Sequence, residues 1–176
     1  MQALVFPEFA VKQAFRELNI ERDDDAVIAS IQNELLPRCM MIVIKSAIVS
    51  CHNSKRKYIS ERDIKYALDC CTFPKSKRHA TDIGYLLDMR HFGKVCNLQI
   101  EFVVDHMVKH GIEANIVKVS ADTLITLQDA VERLLRGFFE FYAHKGKGRT
   151  YGYRLFDECM LNLIGEPAEE TYFVPI

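Results

Sequence analysis

Apolar positions in the first half of the chain recur at helical spacing in three blocks parted by polar loops. Val11, Ala14, Phe15 and Leu18 share one face of a short amphipathic helix predicted over residues 9–18. A polar stretch, 19–24, follows. Asp25 stands where an N-cap belongs, with Asp23 and Asp24 adding negative charge at a helix start. From Ala26 onward Ile28, Ile31, Leu35, Cys39, Ile42 and Ala47 fall mostly three or four apart. That spacing predicts a helix of about 26 residues, ~40 Å long, with a wide apolar stripe and a kink at Pro37. The loop 53–57 is basic, and Ser60 caps a third, short helix over 61–70.

The second half repeats the order. Ile100, Val103, Val104, Met107 and Val108 mark a short helix over 98–109, closed by His110-Gly111. Ser120 is an N-cap candidate for a long helix to about residue 144, striped by Leu124, Leu127, Val131, Leu134, Leu135, Phe138 and Tyr142. A basic loop, Lys145-Gly146-Lys147-Gly148-Arg149, precedes a third helix over 155–163. Two short helices of one unit cannot cover a stripe as wide as that of its long helix. The two long helices are therefore expected to cross, each unit covering the other, with 1–73 and 96–176 as the units and 74–95 as the connection.

Composition narrows the function. The 176 residues are 49% hydrophobic and 27% charged, the range of a globular chain. No run approaches the ~18 uncharged apolar residues of a membrane span, and the first residues lack the basic flank and apolar core of a signal peptide. Lys and Arg total 23 against 24 Asp and Glu, a net charge of −1, so nucleic-acid binding would have to come from local clusters. The halves differ: residues 1–80 carry 13 basic against 10 acidic side chains, and 81–176 carry 10 against 14. Cys39, Cys51, Cys70, Cys71, Cys96 and Cys159 form no C-x-x-C pair; they are expected to be reduced, mostly buried, and held in an intracellular protein. Gly146-Lys147-Gly148 is a fragment, not a phosphate loop. Cys51-His52 and the pair His106/His110 lack the further ligands of a metal site. No catalytic constellation stands out, so the chain is expected to be no enzyme and to need no metal or cofactor.

The segments 19–22 and 54–68 (Ser54-Lys55-Arg56-Lys57-Tyr58-Ile59-Ser60-Glu61-Arg62-Asp63-Ile64-Lys65-Tyr66-Ala67-Leu68) resemble the H-four type of histone, or more loosely the archaeal and H-two-B types. Leu127-Gln128-Asp129-Ala130-Val131-Glu132-Arg133-Leu134-Leu135-Arg136-Gly137-Phe138-Phe139-Glu140 resembles the central helix of the H-three type, and Ile164-Gly165-Glu166-Pro167-Ala168 its ending. The resemblance covers nearly the whole chain. It implies an all-α fold of two fused histone folds, short-long-short, in an intramolecular handshake. Such a doublet is an arrangement associated with giant DNA viruses, placing the protein in the virion, the viral factory or the host nucleus.

The resemblance also implies site residues. Arg56 and Asp63 match the family's Arg–Asp clamp, with Arg149 and Asp157 as the second-copy candidates. An antiparallel pair would set Arg22 near Lys145, Lys147 and Arg149, and Lys118 near Lys55, Arg56 and Lys57, giving two clusters for the phosphates of double-stranded DNA without base readout. An H-two-B–H-two-A-like doublet is the implied protein partner. Phe138, Phe139, Phe141 and Tyr142 wrap most of one helix's circumference, and with Leu155 and Phe156 they are expected to leave an exposed surface for twofold self-association. Several features depart from the pattern. The chain opens on apolar residues where a basic tail would stand, Asp23 to Asp25 crowd Arg22, and residues 166–170 are acidic. They point to the alternative of a histone-fold interaction protein or virion structural component that binds little DNA.

Overall fold

The computed structural model of the chain describes residues 8–20, 24–115 and 119–163. Arg22 and Lys118 lie outside the described residues. Those described form seven helices and no strand: α1 (Glu8–Glu17), α2 (Asp25–Asn53), α3 (Glu61–Cys70), α4 (Ala80–Ile83), α5 (Met89–Lys109), α6 (Ala121–Lys145) and α7 (Tyr153–Leu163). The protein is all-α.

The long helices α2 and α6 pack on each other, and each of α1, α3, α5 and α7 also reaches the long helix of the opposite half. From the first half, α1 and α3 lie on α6; from the second, α5 and α7 lie on α2. Each apolar stripe is thereby covered from both halves, and one core results. Ile31, Leu35, Met40 and Ile44 of α2 and Leu127, Val131, Leu134 and Phe138 of α6 are fully or almost fully shielded from water. Each such side chain contributes about 1.5–3 kcal/mol by leaving water. By length and composition α2 would cross a membrane, yet most of its apolar window is buried inside the protein.

Local chemistry sets the helix ends. Asp24, one residue before the expected cap, accepts the Ala26 N–H at 2.9 Å and starts α2. Pro37 has no N–H and its ring crowds the carbonyl four residues back. The helix answers with a wider π turn over Ile31–Leu35, in which the Leu36 N–H reaches back to the Ile31 carbonyl. At the end of α5, the N–H of Gly111 bonds the Val108 carbonyl and that of Ile112 bonds the Met107 carbonyl. This is a Schellman closure with Gly111 at φ +77°. The end of α2 is closed the same way, by Lys55 to His52 and Arg56 to Cys51, but the left-handed residue is Lys55, at φ +58°.

Three expectations are corrected. First, α5 starts at Met89 rather than near residue 98, because Asp88 caps it through the N–H groups of Arg90 (3.0 Å) and His91 (3.1 Å). Phe92, Val95 and Cys96 of the added turns are buried.

Second, the aromatics of α6 do not form an exposed face. Phe138, Phe139, Tyr142, Leu155 and Phe156 are all buried within the single chain, and Phe141 is half-buried beneath Lys145. The covering comes from α1 and the connecting segment. Phe15 packs edge-on to Phe139 at 5.1 Å, Phe73 stacks on Phe138 at 6.1 Å, and Phe156 of α7 fills the gap between Phe138 and Tyr142. These side chains are spent on the intramolecular core, and a twofold bundle built from them has no free surface.

Third, the second half has no copy of the expected clamp: Arg149 pairs with Glu158 rather than Asp157. Asp63 is the third residue of α3, whereas the third residue of α7 is the buried Leu155, so no carboxylate stands in the corresponding first-turn position. There the Tyr142 hydroxyl takes over, accepting the Gly152 N–H at 2.9 Å.

The connection between the halves is strapped along α6. Ser76 and Arg133 bond each other's backbone through the Ser76 N–H (3.0 Å) and the Arg133 guanidinium (2.8 Å). Asp129 accepts the Ala80 N–H and pairs with His79, both at 2.7 Å. The fully buried carboxylate of Glu132 accepts from the N–H groups of Leu86 (2.6 Å) and Leu87 (3.3 Å) and from Gln128. Burial raises the Glu132 carboxyl above the ordinary range, and those three hydrogen bonds pull against it. At Gly137 the strap touches the helix: a Cβ there would overlap the Pro74 carbonyl and sit 2.9 Å from the Lys75 nitrogen.

Candidate nucleic-acid interface

The crossing of the long helices brings the loop after each of them beside the start of the other. At one end, the loop 54–60 lies against the first turns of α6. The Thr126 hydroxyl donates to Glu61 at 3.3 Å, and an open depression of about 670 Å³ is lined by Arg56, Lys57, Tyr58, Ser60, Arg62 and Thr123 among others. Three cations, three hydroxyls and the Glu61 carboxylate line it, and Tyr58 stands 63% exposed. Lys55 is exposed on the same loop. At the other end, the Tyr153 N–H at the start of α7 donates to Asp24 at 3.2 Å, tying the start of α2 to the loop that carries Lys145, Lys147 and Arg149, all exposed.

The first loop is held rigid by one carboxylate. Asp63 has no exposed surface. It takes both arms of the Arg56 guanidinium, at 2.8 and 2.6 Å, together with the Ser60 N–H at 2.8 Å and the Ser50 hydroxyl at 2.7 Å. Burial alone would raise its carboxyl; the hydrogen bonds from Arg56, Ser60 and Ser50 outweigh that and hold it below the usual carboxylate range. The same contacts make Ser60 and Asp63 a capping box for α3. Arg56 is pushed above its ordinary value by its hydrogen bond to Asp63 and keeps 30% of its side chain exposed, so its charge still reaches solvent.

The second loop is organised differently. Arg149 and Glu158 form a pair at 2.7 Å with about half of each side chain in water; their hydrogen bond lowers the Glu158 carboxyl and raises Arg149. An exposed pair of this kind contributes little to stability, but it neutralises a cation that the histone resemblance would place against DNA. Lys145 sits 5.4 Å over the Phe141 ring.

Of the predicted site residues, the structure gathers Lys55, Arg56 and Lys57 at one end and Lys145, Lys147 and Arg149 at the other. Arg62, Tyr58 and Thr123 join the first group without having been singled out. Arg62 was legible as the second residue of α3, where a side chain points back toward the loop; nothing in the sequence alone brings Thr123 there. Cys39, Cys51, Cys96 and Cys159 are buried, Cys70 is exposed and Cys71 half-buried. Among the described residues, no three His, Cys, Asp or Glu side chains gather as they would around a metal ion. No protein-family model matches the chain, and no curated protein matches it either.

Proposed function

We propose that the chain is a doublet of two histone folds in an intramolecular handshake, and that it binds and packages double-stranded DNA without base specificity. The observation that carries this reading is the pairing of loops. Crossed long helices with a basic loop at each end present two phosphate-binding clusters on one rigid body, as contact with a DNA backbone requires. Lys55 adds support, since it places an exposed cation at a left-handed backbone position that glycine fills at no steric cost. Arg22 and Lys118 complete the clusters in this reading, and an H-two-B–H-two-A-like doublet would extend the particle.

The test is binding to duplexes of unrelated sequence over a range of salt, with nuclease protection of the bound DNA. Neutralising Arg22, Lys55, Arg56, Lys57, Lys118, Lys145, Lys147 and Arg149 together should abolish protection, and each lost phosphate contact should lower the salt slope by about one unit. Unchanged affinity and slope would refute the reading. The pairing of Arg149 with Glu158 and the approach of Asp24 to α7 make the second cluster weaker than the first. They favour a second reading, a histone-fold interaction or virion component with little DNA binding, which that refuting result would select.

A further inference from the structure

Phosphate contacts need cations and hydroxyls, yet the depression at the first loop also holds an aromatic ring. Tyr58 lines it beside the exposed Lys57 and Arg62. Among the described residues Tyr58 stacks on no other ring. Its neighbours in the chain are fixed on both sides. Arg56 is clamped to Asp63, and its N–H bonds the Cys51 carbonyl at 3.1 Å. Ile59 is buried, and the Ser60 N–H is held by Asp63 at 2.8 Å. Tyr58 therefore projects from a rigid backbone, and a tyrosine has only two torsions left to order on binding. A π-face flanked by cations suits a nucleobase still attached to its phosphates. In an intact duplex both faces of a base are covered by its neighbours, so a ring reaches one only where the stack is interrupted.

Resting on the DNA-binding reading above, we propose that Tyr58 determines which duplexes the first cluster prefers. It stacks on a base laid open at a gap or sharp kink, while Lys57, Arg62 and the exposed part of Arg56 hold the flanking phosphates. Glu61 shares the depression, with its carboxylate engaged by the Thr126 hydroxyl at 3.3 Å. The DNA selected is defined by an interrupted stack and not by sequence, because every base has a π-face.

The test titrates the full-length chain with two duplexes of one sequence, one intact and one carrying a single-nucleotide gap. The parent should bind the gapped duplex several-fold more tightly. Tyr58→Ala should lower affinity for the gapped duplex by roughly tenfold, a usual loss for one stacked base, and should bind both duplexes alike. Tyr58→Phe should keep the preference, since stacking does not use the hydroxyl. Neither change should alter the salt slope, because no phosphate contact is lost. The chain contains no tryptophan, so Tyr58→Trp supplies a unique reporter, whose emission the gapped duplex should quench far more than the intact one. Equal affinity of the parent for both duplexes, a preference that survives in Tyr58→Ala, or an equal loss on both duplexes in that variant would each overturn the inference while leaving DNA binding in place. A parent that binds neither duplex would overturn both.

Discussion

Replacing Lys55 with glycine should make the protein more stable and a poorer DNA binder at once. Lys55 closes α2 at φ +58°, the position that Gly111 fills after α5. A left-handed conformation costs an L-residue about 1–2 kcal/mol, while glycine loses roughly 0.5–1 kcal/mol more backbone entropy on folding. The balance favours glycine by about 0.5–1 kcal/mol, or a Tm rise of roughly 2–3 °C for a chain of this size. The same change removes one exposed cation from the loop, so the salt slope of DNA binding should fall by about one unit. Lys55→Ala separates the two effects, since it loses the charge and keeps the backbone conformation. Its Tm should stay close to the parent's while its DNA affinity falls as far as the glycine variant's. Differential scanning calorimetry and salt titrations on the three proteins decide the matter. Equal Tm values for the glycine and alanine variants would refute the backbone argument, and an unchanged salt slope in both would remove Lys55 from the DNA contact.

Asp63→Asn should cost about 2 kcal/mol, because one charge-assisted bond to Arg56 is lost and a half-shielded guanidinium keeps its charge without a counterion; chemical denaturation measures it. The Asp63 carboxyl is held below its unfolded value, so its stabilisation is complete above about pH 4 and disappears as the pH falls through the lower folded value. The gap between parent and Asn variant should therefore close in acid, and a gap that persists there would contradict the ion pair. Gly137→Ala should destabilise by roughly 2–3 kcal/mol, since its Cβ meets the Pro74 and Lys75 backbone, which cannot rotate away as a side chain would; a neutral effect would mean the strap lifts easily. Under native conditions Cys70 should be alkylated first and Cys71 more slowly. Cys39, Cys51, Cys96 and Cys159 should react only on unfolding, because burial shields them and raises their thiols. Mass spectrometry of a labelling time course reads this directly.

The helix plan was legible because it rests on spacing alone. The stripes of α2 and α6, the caps at Ser60 and Ser120 and the stop at Gly111 are local chemistry, and each stands within a residue or two of its expected place. The interlocking of halves was legible too, as a problem of covering two wide stripes. What periodicity could not reveal was which cover reaches which face. Phe138, Phe139 and Tyr142 read as surplus apolar surface because nothing in the sequence places Phe15 and Phe73 against them. The polar side chains of α6 were equally opaque. Asp129, Glu132, Arg133 and Arg136 occur at ordinary helical intervals, and only the folded chain shows them holding the backbone of residues 76–87. The clamps split along the same line. Arg56 with Asp63 is a contact across one short loop, whereas the partner of Arg149 depended on where α7 begins.

The strap along α6 also bears on stoichiometry. Two separate chains that bury each other's long helices form their pair in a bimolecular step, and dilution dissolves it. Here the partner is attached by fewer than twenty residues between the end of α3 and the start of α5, and short tethers hold their ends at effective concentrations of about millimolar. The pair therefore forms in a unimolecular step in each newly made molecule, always in a ratio of one to one. Exchange of halves between copies should be rare well below that concentration, and the Tm should be the same at nanomolar and at micromolar protein.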